Sequence, residues 1–170
     1  MPRRLWSRLP LPEQHLVGLL LGLALDRLIH PRWPSWTSWI GLPVAALGVL
    51  INTSAVRSRG SGELDRPTEL IRSGPYAWSR NPMYLGWSLI HVGAALSVRS
   101  PGMSITWPVS ALGVHRDVRH EERELTARFG SEFTGYAAAV PRYLGVSSVR
   151  VLLRSARARA RTRTPQSGQG

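Results

Sequence analysis

Ser73-Gly74-Pro75-Tyr76-Ala77-Trp78-Ser79-Arg80-Asn81-Pro82-Met83-Tyr84-Leu85-Gly86 reads as a turn followed by the start of a helix. Gly74 tolerates positive φ, and Pro75 fixes its own φ while driving the residue before it out of the helical region. Asn81 stands where an N-cap belongs, and Pro82 at the first helical position, where a missing N–H costs nothing. From Pro82 the chain runs apolar to Val98. A helix N-terminus with its positive dipole therefore opens beside Arg80 at the edge of an apolar segment, which makes an anion site at a membrane surface. Local chemistry alone is equally satisfied by a Pro-started helix whose loop merely packs well.

The segments around this stretch set the fold class. Gln14 to about His30 forms a first apolar helix, Leu-rich and interrupted by Asp26-Arg27, with Gly18 and Gly22 spaced for close helix packing. Trp33 to Val56 is uncharged and long enough to cross a ~30 Å hydrocarbon core, with Trp33, Trp36 and Trp39 clustered at its start like an interfacial belt. Pro43 lies in its first turns, and Asn52 near its far end suits a satisfied structural bond. Asn81 to Val98 and Ser100 to Val114 make two further spans, joined by a turn around Arg99-Ser100-Pro101-Gly102. These segments lack the polar faces that helices of a soluble bundle need. The expected fold is all-α: a polytopic membrane helix bundle of about four transmembrane helices (14–30, 34–56, 82–98, 100–115) plus a cytoplasmic C-terminal helical segment. Residues 1–145 form the membrane domain, and 146–170 a basic, partly disordered tail.

Charge gives the orientation. The chain has 22 basic residues against 10 acidic ones and a net charge of +12. All the basic residues are Arg and none is Lys, a pattern of GC-rich coding that also excludes Schiff-base lysine chemistry. With both termini cytoplasmic, 19 of the 22 Arg fall inside and only Arg27, Arg32 and Arg99 outside. The charge thus lines one membrane face, which speaks against nucleic acid as a partner. The expected location is a bacterial plasma membrane, the expected partners are the lipid bilayer and a small lipophilic acceptor, and the Arg-rich tail suits anionic lipid. The absence of Cys removes disulfides, thiolate metal sites and cysteine nucleophiles. There is no dinucleotide-type glycine loop and no Gly-x-Ser-x-Gly elbow.

After His115 the pattern becomes amphipathic, with Val114, Val118, Leu125 and Phe129 at helical spacing. Glu121 and Glu122 fall where the stripe should continue, so one or both carboxylates flank the buried face. The bland alternative is a solvated face with exposed Arg119–Glu122 and Glu124–Arg128 pairs. Gly130 is placed to end this helix and Ser131 to cap a shorter one reaching Val140. His115 and His120, five apart, do not share a face, so no metal site is expected. His91, deep in the third span, is either functional or a neutral imidazole bonded to a neighbour.

Arg66-Pro67-Thr68, the Ser73–Gly86 stretch, and His115-Arg116 with Glu121-Glu122, Leu125, Phe129-Gly130, Tyr136 and Arg142 together resemble the isoprenylcysteine carboxyl methyltransferase family, grouped with the phospholipid methyltransferases. The resemblance covers roughly residues 40 to 145. It implies a small integral membrane enzyme using S-adenosylmethionine. Tyr76, Arg80, Asn81, Pro82, Tyr84, Gly86, Glu121 and Glu122 would shape or bind the cofactor, with Gly86 allowing close approach. Arg80, His115 and Glu122 would act in catalysis, and Arg142 is a weaker transfer. The eukaryotic members carry His where Asn81 stands, a departure that bears on the acceptor. The competing readings are a sterol-reductase-like NADPH enzyme and a non-catalytic scaffold of the same fold.

Overall fold

The structure, a computed structural model, describes residues 13–29, 32–59, 69–151 and 153. Among the described residues the main α-helices are, in order, α1 Glu13–Leu25, α2 Thr37–Arg59, α3 Pro82–Ser97, α4 Pro101–Phe129 and α5 Ser131–Ala139. Among the described residues there is no strand, so the expected all-helical class holds. The N-terminal arm, Arg66-Pro67-Thr68 and most of the Arg-rich tail lie outside the described residues; of the tail, 146–151 is described and helical.

Two helices run further than their sequence spans, or stop short of them. α1 ends at Leu25, and Asp26 to Leu28 form a turn rather than the rest of a span. α4 does not break near His115; the apolar and amphipathic segments are one helix of 29 residues, about 44 Å at 1.5 Å per residue. Ser100 caps it, accepting from the Met103 N–H at 2.9 Å. Of the described helices only α2 is both long and apolar enough to cross a membrane, while α1 is shorter and apolar. The described helices therefore do not show the four spans expected from the sequence: α1 and α3 are shorter than a span, and α4 is long enough but carries charge along its second half.

α2 lies along α3 and α1 along α4, with the tight α3–α4 turn linking the two pairs. Small residues sit at the contacts. A Cβ on Gly18 would meet Ser110 Oγ at 2.1 Å and one on Gly22 would meet Met103 Cα at 2.5 Å, so the expected close packing on this face of α1 is real. Large apolar side chains point the other way: Leu20, Trp39, Leu42, Leu50, Val109 and Leu112 are all more than half exposed. Glycines thus sit at the α1–α4 contact, while large apolar side chains on α1, α2 and α4 face outward.

Two fully buried imidazoles hold the centre. His15 of α1 and His91 of α3 meet Nδ1 to Nδ1 at 3.0 Å. His91 Nε2 faces the Met103 carbonyl at 3.1 Å, and a carbonyl only accepts, so that nitrogen carries the proton. With both rings neutral, His91 Nδ1 accepts from His15 Nδ1–H, and His15 Nε2 accepts from Ser88 Oγ–H at 3.4 Å. His91 is thus a bonded core residue that ties three helices, partnered by a histidine the sequence did not single out. His91→Leu strands the His15 donor and should cost about 1–3 kcal/mol. The double change His15→Leu with His91→Leu should recover part of that loss. Thermal unfolding in nanodiscs reads the difference, and a double variant no more stable than the single would contradict the relay.

Candidate functional site

The Ser73–Gly86 stretch folds as its punctuation suggests. Gly74 has φ of +59°, Gly74–Ala77 is a 3-10 turn, and α3 starts at Pro82 with Asn81 in the N-cap position. Asn81 does not cap with its side chain, however. Its Nδ2 donates outward instead, to Glu122 Oε1 at 3.2 Å and to the Arg142 carbonyl at 3.3 Å. The main chain here pairs with the segment after α5, Arg80 N–H to the Pro141 carbonyl at 2.9 Å and Asn81 N–H to the Arg142 carbonyl at 3.2 Å. Ser148 closes the same loop by donating to the Trp78 carbonyl.

Glu122 is the hub. It follows Val114 and Val118 at four-residue spacing on the buried stripe of α4. Arg80 donates through Nε to Oε1 at 3.0 Å, with Nη2 also at 3.0 Å from that oxygen. Arg142 holds the other oxygen, with Nε at 3.0 Å and Nη2 at 2.7 Å. Burial alone would push this carboxyl up. The hydrogen bonds from Arg142 and Arg80 outweigh it, and Glu122 sits below the usual carboxylate range. Arg80 has little left to offer: its Nη1 is taken by the carbonyls of Ala137 at 2.8 Å and Val140 at 2.7 Å. The cationic and acidic residues read from the sequence are thus joined to each other. The exposed Arg119–Glu122 and Glu124–Arg128 pairs do not form; Glu122 turns inward and Glu124 meets His120 at 3.2 Å.

Glu121 is placed differently. It accepts from the Tyr84 hydroxyl at 3.2 Å and lies 3.9 Å from Arg59, with its side chain 36% exposed. Arg59, at the end of α2, also donates to the buried Tyr76 hydroxyl at 2.6 Å and lies over that ring. Desolvation raises the Glu121 carboxyl above its ordinary value, while the Arg59 charge and the Tyr84 hydroxyl hold it back. Tyr76 in turn lends its carbonyl to the Tyr136 hydroxyl at 2.7 Å. One carboxylate is spent on structure, and its neighbour keeps an open edge.

The remaining candidates separate from this pair. Pro82 is buried and starts α3. Gly86 makes a close approach to α2: a Cβ there would meet Asn52 Oδ1 at 2.1 Å and the Gly48 carbonyl at 2.8 Å. Asn52, expected to be satisfied, leaves that oxygen without a hydrogen-bond partner. His115 bonds the Tyr143 hydroxyl through Nδ1 at 3.1 Å, two turns from Glu122 on the same helix. Gly130, with φ of +54°, is itself the N-cap of α5, so Ser131 is its first residue and not its cap. Arg59 and Tyr143 were missed by sequence reasoning, since each matters only through a distant partner. Among the described residues no cluster of side chains could hold a metal ion.

Among the described residues the protein is all-helical, and its ion cluster joins a Pro-started helix to the second of two adjacent carboxylates. Residues 36–132 match the family model for phospholipid methyltransferases, and the chain belongs to that family. Most of the site, from Arg59 to Glu122, falls inside the match. The human protein-S-isoprenylcysteine O-methyltransferase is 29% identical over 131 residues, covering 71% of this chain and 46% of that protein. The mouse protein of the same name is 29% identical over 122 residues, 64% of this chain and 43% of the relative. The Xenopus laevis protein is 26% identical over 127 residues, 69% and 44% respectively. The chain thus spans less than half the length of the curated relatives it matches.

Arg59→Gln tests the electrostatics of the site. Removing the cation should move the Glu121 titration further up, read by carboxyl-labelled NMR. Because the folded value already lies above the free one, ionising Glu121 costs stability as pH rises through the folded value, and the variant should enlarge that loss. A Glu121 midpoint that stays put or falls would show that Arg59 does not govern it.

Proposed function

We propose that the chain is an integral membrane methyltransferase that transfers the methyl group of S-adenosylmethionine to a lipid-like or membrane-accessible small acceptor. The observation that carries this reading is Glu121, a family-motif carboxylate that keeps an open edge beside Tyr84 and Arg59 at the start of α3. A carboxylate with spare lone pairs suits an ammonium group or ribose hydroxyls, and the nearby guanidiniums and the α3 N-terminus suit a carboxylate. That inventory fits the donor and disfavours NADPH, whose phosphates Glu121 would repel. Glu122, with both oxygens bonded, and Arg80, with its donors committed, act by holding the pocket wall.

S-Adenosylmethionine supplies a methyl group on a sulfonium, and transfer disperses positive charge, so orientation and exclusion of water are what the protein contributes. Tyr84 and Arg59 fix Glu121, and the Arg80–Glu122–Arg142 cluster fixes the segment that closes over α4. The relatives' names, O-methyltransferases, support an oxygen as acceptor, and a carboxylate oxygen would need no base. For an amine or thiol acceptor, His115 is the group to take the proton, with Tyr143 setting its ring through Nδ1.

The membrane reading draws on α2, on the outward-facing apolar side chains of α1, α2 and α4, and on the Arg distribution. A bundle of about four spans in a bacterial plasma membrane, with both termini cytoplasmic, accommodates all three.

The full chain in nanodiscs should bind S-adenosylmethionine or its demethylated product in isothermal titration and show no saturable binding of NADPH. Glu121→Gln removes one charged hydrogen-bonding group, typically ~1.5–3 kcal/mol, so affinity should fall at least tenfold with folding retained. Glu122→Gln should instead weaken the fold itself. Equal donor affinity in Glu121→Gln and the parent would refute the site, and NADPH binding in place of the donor would refute the reaction.

A further inference from the structure

The two carboxylates leave a third feature of α4 unexplained. Arg119 and Arg123 lie one turn apart on an exposed face, with Arg123 Nε donating to the Arg119 carbonyl at 3.2 Å. Neither joins an ion pair among the described residues. Arg142 approaches from the other side, its side chain 36% exposed while its Nε and Nη2 hold Glu122. Between them runs a groove of about 440 Å³ separating α4 from α5, floored by Phe133 and Ala137. Glu121, Tyr84 and Arg59 do not line it, so it is distinct from the open carboxylate described above.

The charge balance of this groove is one-sided. Glu122 is its only acidic lining residue, and both oxygens of that carboxylate are spent on Arg80 and Arg142. Arg119 and Arg123 add two guanidiniums with no counter-charge. The Thr126 hydroxyl on its wall already donates to the Glu122 carbonyl at 2.7 Å, and the Thr134 hydroxyl to the Ser131 carbonyl at 3.0 Å. Each hydroxyl has spent its one proton, so an anion in the groove would be held by guanidiniums, whose planar forks match phosphate oxygens two at a time. Position adds to the chemistry. α4 is uncharged up to Val114 and charged from Arg116 on, so the groove begins about one turn beyond the apolar half of the helix, at headgroup depth for a helix inserted that far.

We propose that the α4–α5 groove is a binding site for a phosphate-ester anion, gripped by Arg119, Arg123 and the free edge of Arg142. This does not depend on the methyl-transfer reading. Phosphate of this kind comes either from a phospholipid headgroup or from a soluble phosphate, and the two sources separate in one experiment. The full chain in a phosphate-free maltoside detergent is titrated calorimetrically with short-chain phosphatidylglycerol, with glycerol phosphate and with inorganic phosphate. Two double variants with equal charge loss are compared: Arg119→Gln with Arg123→Gln in the groove, and Arg116→Gln with Arg150→Gln outside it. Both pairs are exposed, so folding should be unaffected. Saturable binding that falls tenfold or more in the groove variant, and less than twofold in the other, is the expected result. Binding confined to the lipid assigns the headgroup as the source, and equal binding of all three probes assigns soluble phosphate. Absence of saturable binding by any probe, or the same loss in both double variants, overturns the proposal.

Discussion

A carboxylate taken out of water must be paired, and the pairing of Glu122 organises the end of the bundle where α3, α4 and the segment after α5 meet. Its two oxygens are claimed by different elements, one by Arg80 at the start of α3 and the other by Arg142 after α5. The same Arg80 reaches the carbonyls that end α5, and the backbone of residues 80 and 81 pairs with residues 141 and 142. Removing Glu122 would leave the Arg80 guanidinium buried without its counter-charge, and removing either arginine would leave one Glu122 oxygen without its guanidinium, so each member matters to the others. Its ionisation is secured because the two guanidiniums outweigh the burial that opposes it.

That economy explains the division of labour between adjacent residues. Successive positions on a helix point about 100° apart, so Glu121 and Glu122 cannot share one environment. Glu122 continues the line of Val114 and Val118 into the core. Glu121 is rotated towards the α2 and α3 ends, where Arg59 and Tyr84 meet it and solvent still reaches it. A motif with two neighbouring carboxylates thus supplies one structural anchor and one group with unused hydrogen-bonding capacity.

The rest of the bundle obeys the same constraint in a less polar form. Apolar side chains gain little from facing one another if the surroundings are also apolar, and close contact then falls to small residues and buried hydrogen bonds. Gly18 and Gly22 bring α1 against α4, Gly48 and Gly86 bring α2 against α3, and the His15–His91 relay joins α1, α3 and α4. Every polar atom in that relay has a partner, which is what allows imidazoles to sit where leucines would otherwise be expected.

By itself the sequence determined the local events. Positive φ at Gly74, the start of α3 at Pro82 and the turn ahead of α4 around Ser100 follow from steric rules acting within a few residues, and periodicity put one or both of Glu121 and Glu122 at the α4 stripe without choosing between them. Composition added the helical class, and the motif residues added the family. What only the tertiary structure decided is who meets whom. Arg80 and Glu122 are separated by 42 residues, Glu122 and Arg142 by 20, His15 and His91 by 76. Sequence reading weighed a same-helix partner for Glu122, Arg119, against a cofactor role. The folded chain gave Glu122 two guanidiniums from elsewhere and set Gly86 against Asn52 and Gly48 of α2. Local propensity cannot carry that information, because a side chain's partner depends on where distant helices cross, and a buried charge accepts whichever partner the crossing delivers.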